Sequence, residues 1–344
     1  MAHLPFIIMK RTVFSILLCS ISMAALPQGI EIVSHRGANY LAPENTIASA
    51  DSALAHGATW IEVDVRQSKD GVLFNLHDET LDRTTNGHEP ISAMNSNDIE
   101  KLDAGYKYSN RYKGTKVPTI AEMLDHLRNR SKVFFDVKRG TDVSSLIRLV
   151  HEKGFTYDSF FWFGDTTMLK TFVSHAPEMR VKVNVSNIDG IKQWAKLCQP
   201  SFIEVSPDNI TEAMKRFCHD RGIRIMAAVQ GLSEGDYKKA ILKNPDLINL
   251  DSPELYSKLV MELGIRNENI SNEQMGGIYY AYHPDTTSTR TPAPKGFHPF
   301  YISHYGRHGS RWLPSDSRYE WVLSQFADTL NLTPLGKDVH KRIE

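Results

Sequence analysis

From Gly29 to Gly264 short β-rich runs alternate with amphipathic stretches closed by Gly or Pro. The runs are Ile30–Ser34, Trp60–Val65, Val72–Leu76, Lys132–Val137, Phe160–Phe163, Val181–Val185, Phe202–Val205, Ile223–Val229 and Leu247–Leu250. Between them the 3.6-residue period predicts helices over Thr46–His56, Ile120–Arg128, Val143–Lys153, Thr167–His175, Ile188–Leu197, Thr211–Arg221, Asp236–Leu242 and Glu254–Leu263. In the last of these, Leu255, Leu259 and Leu263 recur every four residues and predict one buried stripe. Strands alternating with helices at this spacing imply parallel pairing with crossover helices. If Trp60–Val65 and Val72–Leu76 form one interrupted unit, the units make up a TIM (β/α)8 barrel, a fold of about this size. An open doubly wound sheet is the alternative, weakened because no Gly-x-Gly-x-x-Gly follows the first strand. Residues 79–118 break the alternation with polar, turn-rich sequence and read as a small insertion after the second β-unit.

The two ends read differently. Lys10-Arg11, the apolar run Thr12–Ala25 and the small-x-small Ser22-Met23-Ala24 make residues 1–27 a secretory signal. The expectation is an exported protein, periplasmic or secreted, with no stable membrane span once the signal is removed. After residue 265 the pattern turns polar, then rich in Thr and Pro over Thr286–Pro294, so residues 28–265 and 266–344 are read as separate parts.

Composition narrows the chemistry. The chain has 344 residues, 40 basic and 40 acidic, with 41% hydrophobic positions. That supports a sizeable core and argues against a broad nucleic-acid binder, which carries a basic excess. Three cysteines without a Cys-x-x-Cys pair give neither a disulfide scaffold nor a zinc ribbon. Cys198 and Cys218 are expected as buried thiols. Oligomeric state is not legible.

Four clusters fall at expected strand ends: His35-Arg36, Glu62 with Asp64, His77-Asp78, and Asp136 with Lys138. Residues two apart on a strand share a face, and a TIM barrel carries its site at the carboxyl ends of its strands. Three carboxylates form a hard oxygen site suited to Mg²⁺ or Ca²⁺. Two histidines suit proton transfer near neutral pH, and Arg36 and Lys138 suit an anion. Against those two cations the three carboxylates leave the site net negative and repellent to phosphate. A divalent ion reverses the sign, so a phosphate-ester substrate requires the metal.

His35-Arg36-Gly37, Pro43-Glu44-Asn45-Thr46, Ile61-Glu62-Val63-Asp64-Val65, Lys69-Asp70-Gly71, His77-Asp78, Leu81-Asp82-Arg83-Thr84-Thr85, Leu102-Asp103-Ala104-Gly105, Val117-Pro118-Thr119-Ile120 and Asp251-Ser252-Pro253 resemble the glycerophosphodiester phosphodiesterases. The resemblance spans residues 30–263. It implies a TIM barrel and hydrolysis of small-molecule glycerophosphodiesters to glycerol 3-phosphate and an alcohol. It further implies His35 and His77 as the acid–base pair, Glu62 and Asp64 as metal ligands, Arg36 on phosphate and Glu44 supporting the metal. Asp136 departs from the family's usual Glu, one methylene shorter, and predicts a displaced or water-bridged ion. Met226-Ala227-Ala228 replaces a common aromatic on the penultimate strand. Lys182 and Glu204 could also face the mouth, but isolated strand charges commonly face solvent, so they are given little weight.

Tyr301–Arg311 resembles the opening of the histidine acid phosphatases of the multiple inositol-polyphosphate phosphatase type. There Arg307 and Arg311 would grip phosphate and His308 would be the nucleophile. No late acid–histidine partner follows, so this reads as an incomplete α/β segment without activity. The competing readings of the whole chain are a non-catalytic phosphate-ligand binder with a decayed metal site, a cyclising phospholipase-like lyase, and an inositol-phosphate phosphatase.

Overall fold

The computed structural model describes residues 29–264. The expected signal at 1–27 and the 266–344 segment, with Arg307, His308 and Arg311, lie outside the described residues. The first units are β1 (Glu31–Ser34), α1 (Ile47–Ala55), β2 (Trp60–Gln67), β3 (Leu73–Asn75), α2 (Ser96–Ile99) and α3 (Ile120–Leu127). There follow β4 (Lys132–Val137), α4 (Val143–Lys153), β5 (Ser159–Phe163), α5 (Thr166–His175), β6 (Arg180–Asn184) and α6 (Ile188–Trp194). The last are β7 (Phe202–Val205), α7 (Glu212–His219), β8 (Arg224–Val229), α8 (Glu234–Lys243), β9 (Leu247–Leu250) and α9 (Pro253–Glu262).

The strands form one sheet in the order β1-β9-β8-β7-β6-β5-β4-β2-β3, and an additional β1–β2 pairing closes it. All strands but β3 run parallel, which makes the closed structure a TIM barrel. β3 pairs antiparallel with β2, so Trp60–Asn75 is a hairpin and only its first strand is a stave. Alternation along β2 explains the two-sided burial. Ile61, Val63 and Val65 face the helices, while Trp60, Glu62 and Asp64 face the barrel interior.

Inside, Val33, Trp60, Phe134, Phe160, Phe202, Met226 and Leu247 form an apolar floor. The Phe160 ring lies 4.3 Å from Phe202, 4.5 Å from Phe134 and 4.9 Å from Trp60, centroid to centroid. Met226 is therefore part of this floor, and Ala228 is the β8 residue at the level of the mouth. The α9 stripe differs from its expectation. Pro253, Tyr256, Leu259 and Val260 are buried, while Leu255 and Leu263 sit at the margin. A strict four-residue repeat drifts around a 3.6-residue helix, so only its middle leucine stays inward. Cys198 and Cys218 are buried and unbridged. Among the described residues, no helix is long and apolar enough to cross a membrane.

Candidate active site

The loop after β1 turns sharply into the barrel mouth. Arg36 adopts a left-handed backbone (φ 56°), followed by Gly37 at φ 75°. A Cβ on Gly37 would stand 2.5 Å from Ser49 Oγ and 2.7 Å from the Ser49 carbonyl carbon, so only glycine fits. The turn aims the Arg36 N–H inward, where it donates to Glu62 Oε2 at 2.6 Å. Asn45 is also left-handed (φ 58°), and its Nδ2 donates to Asp64 Oδ2 at 2.7 Å. Thr46 then caps α1 in a capping box with Ser49.

Register brings the carboxylates together. Asp64 on β2 stands opposite Asp136 on β4, and Glu62 lies one inward step below Asp64. Glu62, Asp64 and Asp136 each present an oxygen within 4.8 Å of the others. The shorter Asp136 thus still reaches the cluster, and its buried Oδ1 has no hydrogen-bond partner among the described residues. Lys138 Nζ lies 2.7 Å from both Asp64 and Asp136. Arg36 reaches Glu44 at 3.2 Å, while its buried Nε, 3.5 Å from Asp64, makes no hydrogen bond. Burial would raise the Asp64 carboxyl, but Lys138, Arg36 and His77 outweigh it and hold it below the usual carboxylate range. Glu62 and Asp136 go the other way, raised first by burial and then by the Asp64 charge. Three hard oxygen donors, two of them strained by mutual repulsion and one with an unmatched lone pair, fit a divalent cation.

The histidines flank this cluster. Ser34 registers with Leu250, so one residue further His35 and Asp251 stand side by side, with Nδ1 2.6 Å from Asp251 Oδ1. Asp251 is itself fixed by the Gly231 N–H at 2.6 Å and Asn39 Nδ2 at 3.0 Å. Burial would lower His35, but Glu62 and the bond to Asp251 raise it to about 9. His77 follows the β2–β3 hairpin, with its carbonyl held by Arg66 Nε at 2.8 Å and its Nδ1 2.7 Å from Asp78 Oδ1. Arg83, from the insertion, donates to both Glu44 oxygens (2.8 and 2.7 Å) and to Asp78. Arg83 and His77, against the cost of partial burial, lower Asp78 to about 2.

Every sequence-expected residue of the barrel site, namely His35, Arg36, Glu44, Glu62, Asp64, His77, Asp136 and Lys138, belongs to this one connected cluster. Three groups went underestimated. Lys182 and Glu204 are not solvent charges: Lys182 is 3% exposed, 2.5 Å from Glu204, and Asn249 donates to the other Glu204 oxygen at 2.9 Å. Their parity on β6 and β7 matches that of Asp64 and signalled the inward face. The Asp251 and Arg83 contacts bridge long sequence separations that no local pattern encodes.

A family model described as the glycerophosphoryl diester phosphodiesterase family matches residues 35–153. The glycerophosphodiester phosphodiesterase of Caldanaerobacter subterraneus subsp. tengcongensis is 28% identical over 241 residues, covering 68% of this chain and 98% of that relative. The Bacillus subtilis glycerophosphodiester phosphodiesterase is 40% identical over 120 residues, 33% of this chain and 41% of that relative's length. Among solved structures, a glycerophosphodiester phosphodiesterase from Agrobacterium tumefaciens is 39% identical, covers 66% of this chain and 98% of that one, and superimposes with a TM-score of 0.61. An Oleispira antarctica phosphodiesterase in complex with the product sn-glycerol-3-phosphate shares the fold at 21% identity, with a TM-score of 0.59, covering 69% of this chain and 97% of that one.

Proposed function

The chain belongs to the glycerophosphodiester phosphodiesterase family and is a phosphoric diester hydrolase; from that premise we propose that it cleaves glycerophosphodiesters to sn-glycerol 3-phosphate and an alcohol, with His35 and His77 exchanging the protons. The observation that carries the reading is the pair of imidazoles flanking one carboxylate cluster, each tied to a carboxylate through Nδ1. With Nδ1 engaged on both rings, Nε2 is the nitrogen left to face the substrate. One Nε2 takes the proton of the nucleophile, and the other gives a proton to the departing alkoxide. The nucleophile is water or the adjacent glycerol hydroxyl. Asp251 and Asp78 act as positioning residues, fixing ring orientation and tautomer.

Glu62, Asp64 and Asp136 would hold Mg²⁺ or Ca²⁺, which supplies charge stabilisation at the phosphoryl oxygens. Arg36 receives the phosphate through its guanidinium, with Lys138 lowering the negative charge of the same wall. Glu44 keeps Arg36 aimed. We also read the chain as exported through residues 1–27. Arg307, His308 and Arg311 are taken as a phosphatase-like signature with no part in this reaction.

The test is turnover of glycerophosphocholine followed by ³¹P NMR. The reading expects glycerol 3-phosphate, and loss of about 10²–10⁴ in kcat for His35→Ala or His77→Ala in protein that circular dichroism shows to be folded. Accumulated cyclic phosphate would reassign the chain to a lyase. An active His77→Ala enzyme would remove that residue from the chemistry.

A further inference from the structure

The insertion carries a surface that the reaction does not use. Between α2 and α3, residues 106–116 hold Tyr106, Lys107, Tyr108, Arg111, Lys113 and Lys116, all exposed. Among the described residues none of these four cations forms an ion pair. Lys107 donates to the Asp82 carbonyl, and Arg111 lies over the Tyr112 ring at 5.4 Å. The nearby Asp103 pairs with none of them; it is turned to the loop backbone, its two oxygens accepting the Gly105 and Gly114 N–H groups at 2.8 and 2.7 Å. The loop is built rather than loose. Ala104 N–H donates to the Thr115 carbonyl at 2.7 Å, and Gly105 packs against the Tyr112 backbone with no room for a Cβ.

Its position is also fixed. The Tyr112 hydroxyl donates to the Leu41 carbonyl at 2.8 Å, beside Tyr40, which is 47% exposed. The Glu254 charge acts on the Tyr108 hydroxyl. The loop therefore crosses the rim of the mouth from the β1 loop toward the start of α9. In a chain with zero formal net charge, this is a local concentration of positive charge and tyrosine.

We infer that this rim docks the barrel mouth onto an anionic lipid surface, with Lys107, Arg111, Lys113 and Lys116 facing the headgroups and Tyr40, Tyr106 and Tyr108 seated among them. Lysine and arginine near such a surface gain electrostatic attraction, and tyrosine suits its half-wet boundary. A single-stranded nucleic acid would need open ring faces for stacking. Here Lys107 lies over Tyr106, Arg111 over Tyr112, and Tyr108 meets Tyr112 edge to face at 5.5 Å, so the rings offer edges and hydroxyls instead.

The test is co-sedimentation of the full chain with phosphatidylcholine vesicles, with and without phosphatidylglycerol, at low and high salt. It is read without turnover and so stands apart from the catalytic reading. Wild type should bind only the anionic vesicles and release at high salt. Replacing the four cations by Gln should weaken partitioning on the order of 1,000-fold. Lys113→Glu with Lys116→Glu, at side chains with no contacts to lose, should abolish binding while the unfolding temperature and glycerophosphocholine turnover stay unchanged. Because all chains share the apolar N-terminal run, it contributes equally to each. Equal binding to neutral vesicles, undiminished binding by the Lys113→Glu/Lys116→Glu chain, or retention on single-stranded DNA with none on vesicles would overturn the inference.

Discussion

At the residue scale, the site is a set of charges whose burial is offset by their neighbours. His35 illustrates it: buried beside Glu62 and Asp251, it is raised to about 9 from an ordinary 6.5. A group raised on folding stabilises the fold fully below its unfolded value and loses that contribution as pH rises through its folded value. Metal-free protein should therefore lose thermal stability between about pH 6.5 and 9, and a His35→Gln variant should show a flatter profile in a calorimetric pH series. Asp251→Ala should cut kcat on the order of 10²-fold with little change in KM, because it frees the ring rather than a substrate contact. Asp251→Asn, which still accepts from Nδ1–H, should recover part of the loss. Equal kcat for Asp251→Ala and wild type would strip Asp251 of a positioning role. The residue types at Glu62, Asp64 and Asp136 were legible because spacing by two on a strand encodes a shared face. Asp251 appeared only as part of an Asp-Ser-Pro motif, since its partner His35 lies 216 residues away.

At the element scale, strands and helices follow the hydrophobic pattern closely, with ends shifted by one to three residues, the largest shift at α6, which ends at Trp194 rather than Leu197. The mistaken weight given to Lys182 and Glu204 has a structural cause. A lone strand charge commonly faces water; here Glu204 on the neighbouring strand pairs with Lys182, which lets both sit in the barrel interior, and that pairing is visible in neither strand's sequence alone. The β1–α1 turn is the element on which the site depends most. Arg36 and Gly37 both occupy left-handed backbone there, and Ser49 leaves no space for a methyl group. Gly37→Ala should cost about 2 kcal/mol or more in stability, measured by urea unfolding. It should also reduce turnover by swinging the Arg36 N–H away from Glu62. A variant as stable as wild type would mean that the turn relaxes without strain.

At the scale of the whole molecule, an apolar floor of stacked aromatics closes the barrel beneath the ring of charged groups. The floor lets charged side chains crowd the mouth without water entering from below. Trp60→Ala should remove its central packing and cost about 3–5 kcal/mol, seen as a lower unfolding temperature. The claim that joins these scales is that Glu62, Asp64 and Asp136 hold a divalent ion for phosphodiester cleavage. Glycerol 3-phosphate release from glycerophosphocholine, measured in the EDTA-treated full chain and after adding back Mg²⁺ or Ca²⁺, tests it most directly. The expected result is activity abolished by EDTA, restored by metal in wild type, and not restored in Asp136→Ala. Undiminished hydrolysis in EDTA, or full metal rescue of Asp136→Ala, would contradict it.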